Sequence, residues 1–513
     1  MSGQIKRIVI VGGGSAGWLT AAVLAADHGG AHGSGVQVTV VESPGISPIG
    51  VGEGTWPSMR DTLRRIGVSE TDFIRECDAA FKQGSKFVGW SSGGTEHYYH
   101  PFSLPHGFLE VDLVPGWLKR HAARPFAELV STQPTLCEHG RAPKQVTTPE
   151  FAAVANYAYH LDAGKFGQFL LRHCTARLGV RYLADHVTRV ESSESGDIIA
   201  VVTAENGRIE GELFIDCTGF SSLLLGQHYG IPLRSVQPQL FNDCALAVQV
   251  PYAAPDAPVA SQTIGTARSA GWIWDIGLPT RRGVGYVYSS AHQSDDEAAV
   301  ILRDYVGRGA DVGASLSPRK LSFRPGYRQT FWHRNCVAVG LAAGFVEPLE
   351  ASALALVEMS AATISDQLPA TREAMDTIAA RFNEAFHYRW ERAVDFLKLH
   401  YLLSARADSP YWIEHRNPGA ASARLSELLA LWRYQPPSRY DFYRIEEVFP
   451  SASYQYVLYG MGFRPELTVR PDRATLVERY LEEAASLSKT QLAGLPSHRG
   501  LLSHLQTYRL QRI

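Results

Sequence analysis

Ile8-Val9-Ile10-Val11-Gly12-Gly13-Gly14-Ser15-Ala16-Gly17, followed by the Ala- and Leu-rich run Trp18 to Ala26, sets the architecture of this chain. A short apolar run that breaks into glycines and then takes up a helical pattern reads as strand, tight turn and helix. Val36 to Val41 is a second β-branched run, and it ends at the acidic Glu42. This is the strand-turn-helix-strand unit of a dinucleotide-binding fold. Gly12 permits the tight turn, Gly14 lets backbone amides approach a pyrophosphate, and Gly17 allows the helix to pack on the strand. The first turn, with Ser15 and Ala16, offers unpaired amides and a favourable dipole to phosphate. Glu42 is placed to accept hydrogen bonds from ribose hydroxyls. Residues between Asp27 and Gly35 read as a small Gly/His loop insertion.

Outward from this unit, Val180 to Leu183, Ile198 to Ala204 and Leu213 to Cys217 have strand character. A parallel sheet assembled from distant pieces is expected. Residues from about 87 to 151 are rich in Pro, Gly and aromatics and read as an inserted, substrate-facing region. Alternation such as Val284-Gly285-Tyr286-Val287-Tyr288 predicts an antiparallel sheet within about 240–330. From Ala353 the character changes: Ala353 to Leu368 and Arg372 to Leu403 have helical periodicity, and the rest is mainly helical with breaks such as Pro436-Pro437. The expected class is α/β, with residues 1–354 forming a nucleotide-binding domain and 355–513 a helical substrate-binding domain.

Bulk properties narrow the function. The 513 residues are 45% hydrophobic and 19% charged, ordinary globular values, with a formal net charge of -2. No basic footprint for nucleic acid or an anionic membrane is present, so small neutral partners are expected. Six scattered cysteines lack the close pairs of a zinc site or redox dithiol, and reduced, mostly buried thiols are expected. His97 and His100 lack a third ligand, so no metal is expected. The chain leads straight into its first strand, leaving no room for a signal peptide, and no apolar run is long enough to span a bilayer. A cytoplasmic location is the expectation. Oligomeric state has no signature in the sequence.

Gly271-Trp272-Ile273-Trp274-Asp275-Ile276 places two tryptophans on one face of an extended segment. Such an aromatic wall is most simply core. Taken with the nucleotide loop and with Lys82 in Ala79-Ala80-Phe81-Lys82-Gln83-Gly84-Ser85-Lys86-Phe87-Val88-Gly89-Trp90, however, it resembles the W-x-W-x-I-P signature of flavin-dependent halogenases of the tryptophan halogenase family. Gly277 stands where that family has proline. The resemblance implies a fold like that of FAD-dependent monooxygenases, with FAD rather than NAD as cofactor. Asp216-Cys217-Thr218-Gly219 is similar to the family's second Gly turn, and Val337-Ala338-Val339-Gly340-Leu341-Ala342-Ala343-Gly344 to its flavin-contacting segment. Gly50-Val51-Gly52-Glu53-Gly54-Thr55-Trp56-Pro57 resembles the stretch that lies along the isoalloxazine. Val187, Gly340, Leu341 and Leu354 join the loop residues as implied cofactor contacts. No second G-x-G-x-x-G is present, so a separate reductase is expected to supply FADH2.

The resemblance also implies the chemistry. FADH2 and O2 would oxidise a halide to hypohalous acid, which travels through a closed apolar passage to the substrate. Lys82 matches the family's essential lysine; its aromatic flanks favour burial, and a desolvated amine is a usable nucleophile or hydrogen-bond donor. Whether it holds hypohalous acid by a hydrogen bond or forms a haloamine is open. Pro348-Leu349-Glu350 matches the family's P-L-E, making Glu350 the candidate acid-base partner. Its simpler reading is a charge at a helix N-terminus, stabilising by about 0.3–1 kcal/mol. The family continues S-T-G; here Ala351-Ser352-Ala353 follows, leaving Ser352 and Ala353 to bind halide mainly through backbone amides. Chloride and bromide are both open. Tyr98-Tyr99-His100-Pro101-Phe102 resembles the family's H-P-F, so His100 and Phe102, with Trp272 and Trp274, are expected to bind an electron-rich arene. The segment Tyr440 to Pro450 is shorter than its family counterpart and aligns no ammonium-binding glutamate, which points to indole or a simple indole derivative. A single-component flavin aromatic hydroxylase and a non-catalytic flavin-binding protein are the alternatives.

Overall fold

The computed structural model describes residues 5–29, 35–45, 52–307, 317–467 and 473–512. Gly50 and Val51 of the expected isoalloxazine segment, and most of the Gly/His loop, lie outside them. The chain divides into two compact units, each drawn from three stretches: residues 1–78, 161–236 and 323–390 form the first, and 79–160, 237–322 and 391–513 the second. This compactness interleaves the sequence, whereas the expected boundary at residue 354 was contiguous.

The first unit is α/β. Its six-stranded sheet runs Trp332–His333, Cys336–Ala338, Leu213–Asp216, Arg7–Val11, Gln37–Glu42, Arg181–Ala184 in order. Every pairing is parallel except that of the Trp332–His333 edge. Ile8 to Val11 and Leu213 to Asp216 are buried along their whole length, as parallel strands covered on both faces must be. The helix Ser15–His28 is buried from Gly17 through Ala25, because the helices Ala163–Arg177 and Ser352–Asp366 pack against it. Its apolar character on all sides follows. One strand expected in the parallel sheet belongs elsewhere: Ile198–Thr203 pairs antiparallel with Val187–Ser192 and Gly207–Glu210 in a separate three-stranded sheet. Apolar runs of this length carry no label for parallel or antiparallel pairing.

The second unit centres on a seven-stranded sheet in the order Arg319–Ser322, Cys244–Pro251, Arg281–Tyr288, Gly271–Gly277, Thr263–Arg268, Gly84–Val88, His97–Pro101. The antiparallel sheet expected within 240–330 is thus extended by two strands, Gly84–Val88 just before the aromatic-rich region and His97–Pro101 within it, the first joined in parallel to Thr263–Arg268. Cys244, Leu246, Val248 and Val250 alternate onto one face and pack with Ala298, Leu302 and Val306 of the helix Asp295–Gly307. Among the described residues no helix is long and apolar enough to cross a membrane. All six cysteines are buried and free.

Candidate active site

In the first unit, Gly12 has φ +107°, and a Cβ there would lie 2.2 Å from the Cys217 carbonyl oxygen. Only glycine meets both demands. In front of Gly14 the space is open to 4 Å, and the helix that follows has no side-chain cap on its first amides. Ser15 turns its hydroxyl away, donating to the Ala163 carbonyl at 3.3 Å. Uncapped amides facing open space fit a pyrophosphate. Glu42 ends its strand half-buried; its carboxylate accepts from the Trp18 indole N–H at 3.3 Å, and burial raises its pKa. The same carboxylate crosses Gly13, where a Cβ would sit 2.1 Å from Glu42 Cδ. Gly13 therefore leaves Glu42 its position. The turn Gly340–Ala342 approaches the loop so closely that a Cβ on Gly340 would lie 2.7 Å from that of Ala16. Leu341 is half-buried beside it, Leu354 is buried in the next helix, and Val187 heads a strand of the separate antiparallel sheet.

Glu350 is buried, and its backbone carbonyl accepts from the Trp56 indole N–H at 2.8 Å. The hydrogen bond joins the Gly52–Pro57 stretch to the segment that opens the Ser352–Asp366 helix. That helix is entered through Ala351 in the left-handed region, φ 54°, with no side-chain cap. The amides around Ser352 and Ala353 thus receive no side-chain acceptor at the cap. Burial lifts the Glu53 carboxyl to about 7.

Glu358 lies farther along the same helix and was not singled out from sequence, where it is one acidic residue in the apolar run Leu354-Ala355-Leu356-Val357. It accepts from Thr62 Oγ1 at 2.8 Å and Ser58 Oγ at 3.4 Å, and burial lifts its pKa to about 8. A carboxyl whose folded pKa exceeds its unfolded value contributes stability that is full below about 4.5 and lost as pH rises through about 8. Glu358→Gln keeps a neutral polar group at all pH values. Its melting temperature is expected to fall less than the parent's between pH 5 and pH 8.5, ending about 2–6 °C above the parent at the upper limit. Parallel melting curves would show that Glu358 is ionised throughout.

In the second unit, Lys82 ends the strand Ala80–Lys82, which pairs antiparallel with Ala158–Leu161. It is 1% exposed, and its ammonium lies 5.3 Å from the centre of the Phe102 ring. His160, opposite Ala80, is fully buried with Nε2 2.8 Å from Thr263 Oγ1. Burial and then the Lys82 charge hold its pKa well below the ordinary histidine value, so it is neutral. His100 Nε2 lies 2.8 Å from Ser453 Oγ, and its ring faces Phe396 at 5.7 Å. Phe396 stacks in turn on Phe449 at 3.8 Å. Trp272 and Trp274 make an edge contact, with centroids 6.4 Å apart. Trp272 is wholly buried against Trp90 at 6.3 Å, and Trp274 alone of the pair keeps partial exposure.

The family model described as tryptophan halogenase matches residues 7–474. The chain belongs to the tryptophan halogenase family. The halogenase is 35% identical to the 7-chloro-L-tryptophan 6-halogenase KtzR of Kutzneria sp., an alignment covering 89% of this chain and 90% of the relative. Among solved structures it is similar to a tryptophan halogenase from Shewanella frigidimarina, with 49% identity, a TM-score of 0.96 and 99% of each chain covered. It is also similar to the tryptophan C-6 flavin-dependent halogenase of taromycin biosynthesis, with 32% identity, a TM-score of 0.90, and 98% of this chain and all of the other covered. The protein is accordingly an enzyme, a flavin-dependent halogenase.

Within the halogenase, the predicted site residues fall into two groups. The first unit holds the loop residues Gly12 to Gly17, Glu42, Val187, Gly340, Leu341, Glu350, Ser352, Ala353 and Leu354; the second holds Lys82, His100, Phe102 and the tryptophan pair. Sequence reasoning missed His160, Ser453 and Phe396, none of which sits in a spaced motif.

Proposed function

We propose that this halogenase chlorinates or brominates indole or a simple indole derivative, with Lys82 presenting the active halogen and Glu350 taking the ring proton. The observation that carries the reading is a lysine buried to 1% exposure with its ammonium over the Phe102 ring. Removing an ammonium from water costs several kcal/mol, of which a contact with an aromatic face returns about 2 kcal/mol. Such a group is kept for chemistry more readily than for stability.

Gly12 to Gly17, Glu42, Val187, Gly340, Leu341 and Leu354 would hold reduced FAD delivered by a separate reductase, and the chemistry it would supply with O2 is the two-electron oxidation of halide to hypohalous acid. Ser352 and Ala353 hold the halide through backbone amides. At the arene a carbon–halogen bond would form as the halogen's bond to oxygen breaks, the departing hydroxide taking a proton from the Lys82 ammonium to leave as water, or, in the haloamine case where water has already left, as its bond to the Lys82 nitrogen breaks; the ring proton passes to Glu350, and proton exchange with solvent resets both groups. Lys82 directs the electrophile, as a hydrogen-bond donor or as the haloamine. His100, Phe102 and Trp274 supply flat apolar surface for the ring, and Trp272 backs it from the core. In this division of labour residues 1–354 would serve the flavin while also lending Lys82, His100, Phe102, Trp272 and Trp274 to the substrate side, which 355–513 complete.

The named relatives act on tryptophan or its 7-chloro derivative. Indole is favoured here because two of the three carboxylates in the segment that would hold an ammonium are engaged, Glu447 with Arg424 at 3.3 Å and Asp441 with the Trp432 indole N–H at 3.0 Å, while Tyr440, Tyr443 and Ile445 are 77%, 86% and 96% exposed. With FAD, a flavin reductase, NADH and either halide, indole is expected to exceed L-tryptophan in kcat/KM by at least about tenfold, the effect of one lost charge contact. Faster turnover of tryptophan would refute the substrate assignment, and a hydroxylated product without halogen isotopes would refute the reaction.

A further inference from the structure

We infer that His498 is a positioning residue for Lys82, acting together with the Val259-Ala260-Ser261 segment that Gly277 admits. The inference rests on the role given to Lys82 above.

Lys82 is flanked by Phe81 and Gln83, and both neighbours are tied into that one segment. The Gln83 N–H donates to the Ser261 carbonyl at 2.6 Å. The Phe81 N–H donates to His498 Nε2 at 3.1 Å, and His498 Nδ1 lies 3.0 Å from the Val259 carbonyl. Because Nε2 accepts, Nδ1 carries the hydrogen and donates, which fixes one neutral tautomer. His498 is fully buried, and burial pushes its pKa down to about 4, so the bracket persists at neutral pH. Its ring also lies 6.0 Å from that of Phe81.

The anchorage of His498 is as deliberate as its contacts. It opens the helix His498–Thr507, whose Ser497 cap accepts from the Gly500 N–H. Its own N–H donates to the Gly140 carbonyl at 2.7 Å, and Arg499 donates to the carbonyls of Ala257 at 2.8 Å and Pro279 at 2.6 Å. On the other side, a Cβ at Gly277 would lie 3.0 Å from both Ala260 N and Val259 Cγ1. Glycine at the end of the tryptophan motif thus lets the Val259–Ser261 backbone lie close against the strand. The departure from the family's proline and the bracket around Lys82 meet at one place.

The test uses the full chain with FAD, reductase, NADH, bromide and indole, and a 1,3-diketone that traps escaping hypobromous acid. The readout is the partition between bromoindole and trapped bromine per FADH2 consumed. His498→Leu is expected to shift this partition toward the trap roughly ten- to a hundredfold, the scale of a reacting group displaced by about 1 Å, with FADH2 consumption at the parent rate. His498→Gln, which restores an acceptor for the Phe81 N–H, is expected to recover most of the loss. Gly277→Val, with His498 intact, is expected to give the same shift by pushing Ala260 away, and it decides the matter if His498→Leu does not fold. A role in stability alone would lower the melting temperature and leave the partition where it was. Parent partition in His498→Leu or Gly277→Val, or a Gln variant no better than Leu, overturns the inference. Parent partition in Lys82→Met, run in parallel, would instead overturn the role of Lys82 on which the inference stands.

Discussion

Lys82→Met is expected to cut the yield of halogenated arene at least about a thousandfold, the scale on which single nucleophiles or acid-base groups act, while FADH2 oxidation continues at the parent rate. Methionine fills nearly the same buried volume, so the variant separates loss of the amine from loss of packing. The fold should tolerate it. Exchanging a charge that is 1% exposed for an apolar chain gives up its contacts, that with the Phe102 ring among them, but relieves a desolvation penalty of several kcal/mol. A melting temperature near the parent's is therefore expected together with near-zero product. A second readout is local: the Lys82 charge is one cause, after burial, of the low His160 pKa, so that pKa should rise in the variant yet stay below the ordinary value. Histidine titration followed by NMR would show it. Retained halogenation would remove Lys82 from the reaction.

What could be read from the chain beforehand follows the range of the interactions involved. The nucleotide loop was legible because one of its constraints is local, the φ of +107° at Gly12; the Cys217 carbonyl that also excludes a Cβ there comes from the end of a distant strand. The helices from Ser352 and Arg372 were visible in their periodicity, and the structure ends them within about two residues of the expected limits. Ile198–Thr203 was assigned to the wrong sheet because a β-branched run specifies a strand and not its partner. Lys82 and Phe102 were found separately, through motifs, and the structure brings them together. His498 and His160 could not be found this way, since each acts through contacts with residues a hundred or more positions away, and an isolated histidine carries no spacing to read. The tryptophan pair divides between the two ranges. Its shared face was read correctly, but which of the two rings meets the interior depends on Trp90, which packs against Trp272.

Glu350→Gln is expected to lower the halogenation rate by about 10²- to 10⁴-fold, the contribution of a positioned base, without changing the rate at which FADH2 is consumed. The argument depends on a separation built into the residue. Its backbone carbonyl accepts the Trp56 indole N–H at 2.8 Å, and this bond survives any side-chain change. The Gly52–Pro57 stretch should therefore keep its place, and flavin affinity with it. The glutamine amide cannot take the proton that the arene must lose, so that step becomes slow enough to limit turnover. Indole deuterated at the reacting carbon should then show a primary isotope effect in the variant and none in the parent. Glu350 as a mere charge beside a helix N-terminus predicts a different pattern: a loss of about 0.3–1 kcal/mol in stability, unchanged rate and no isotope effect. A rate within twofold of the parent, with a lowered melting temperature, would establish that simpler role and leave the proton's acceptor to be sought elsewhere.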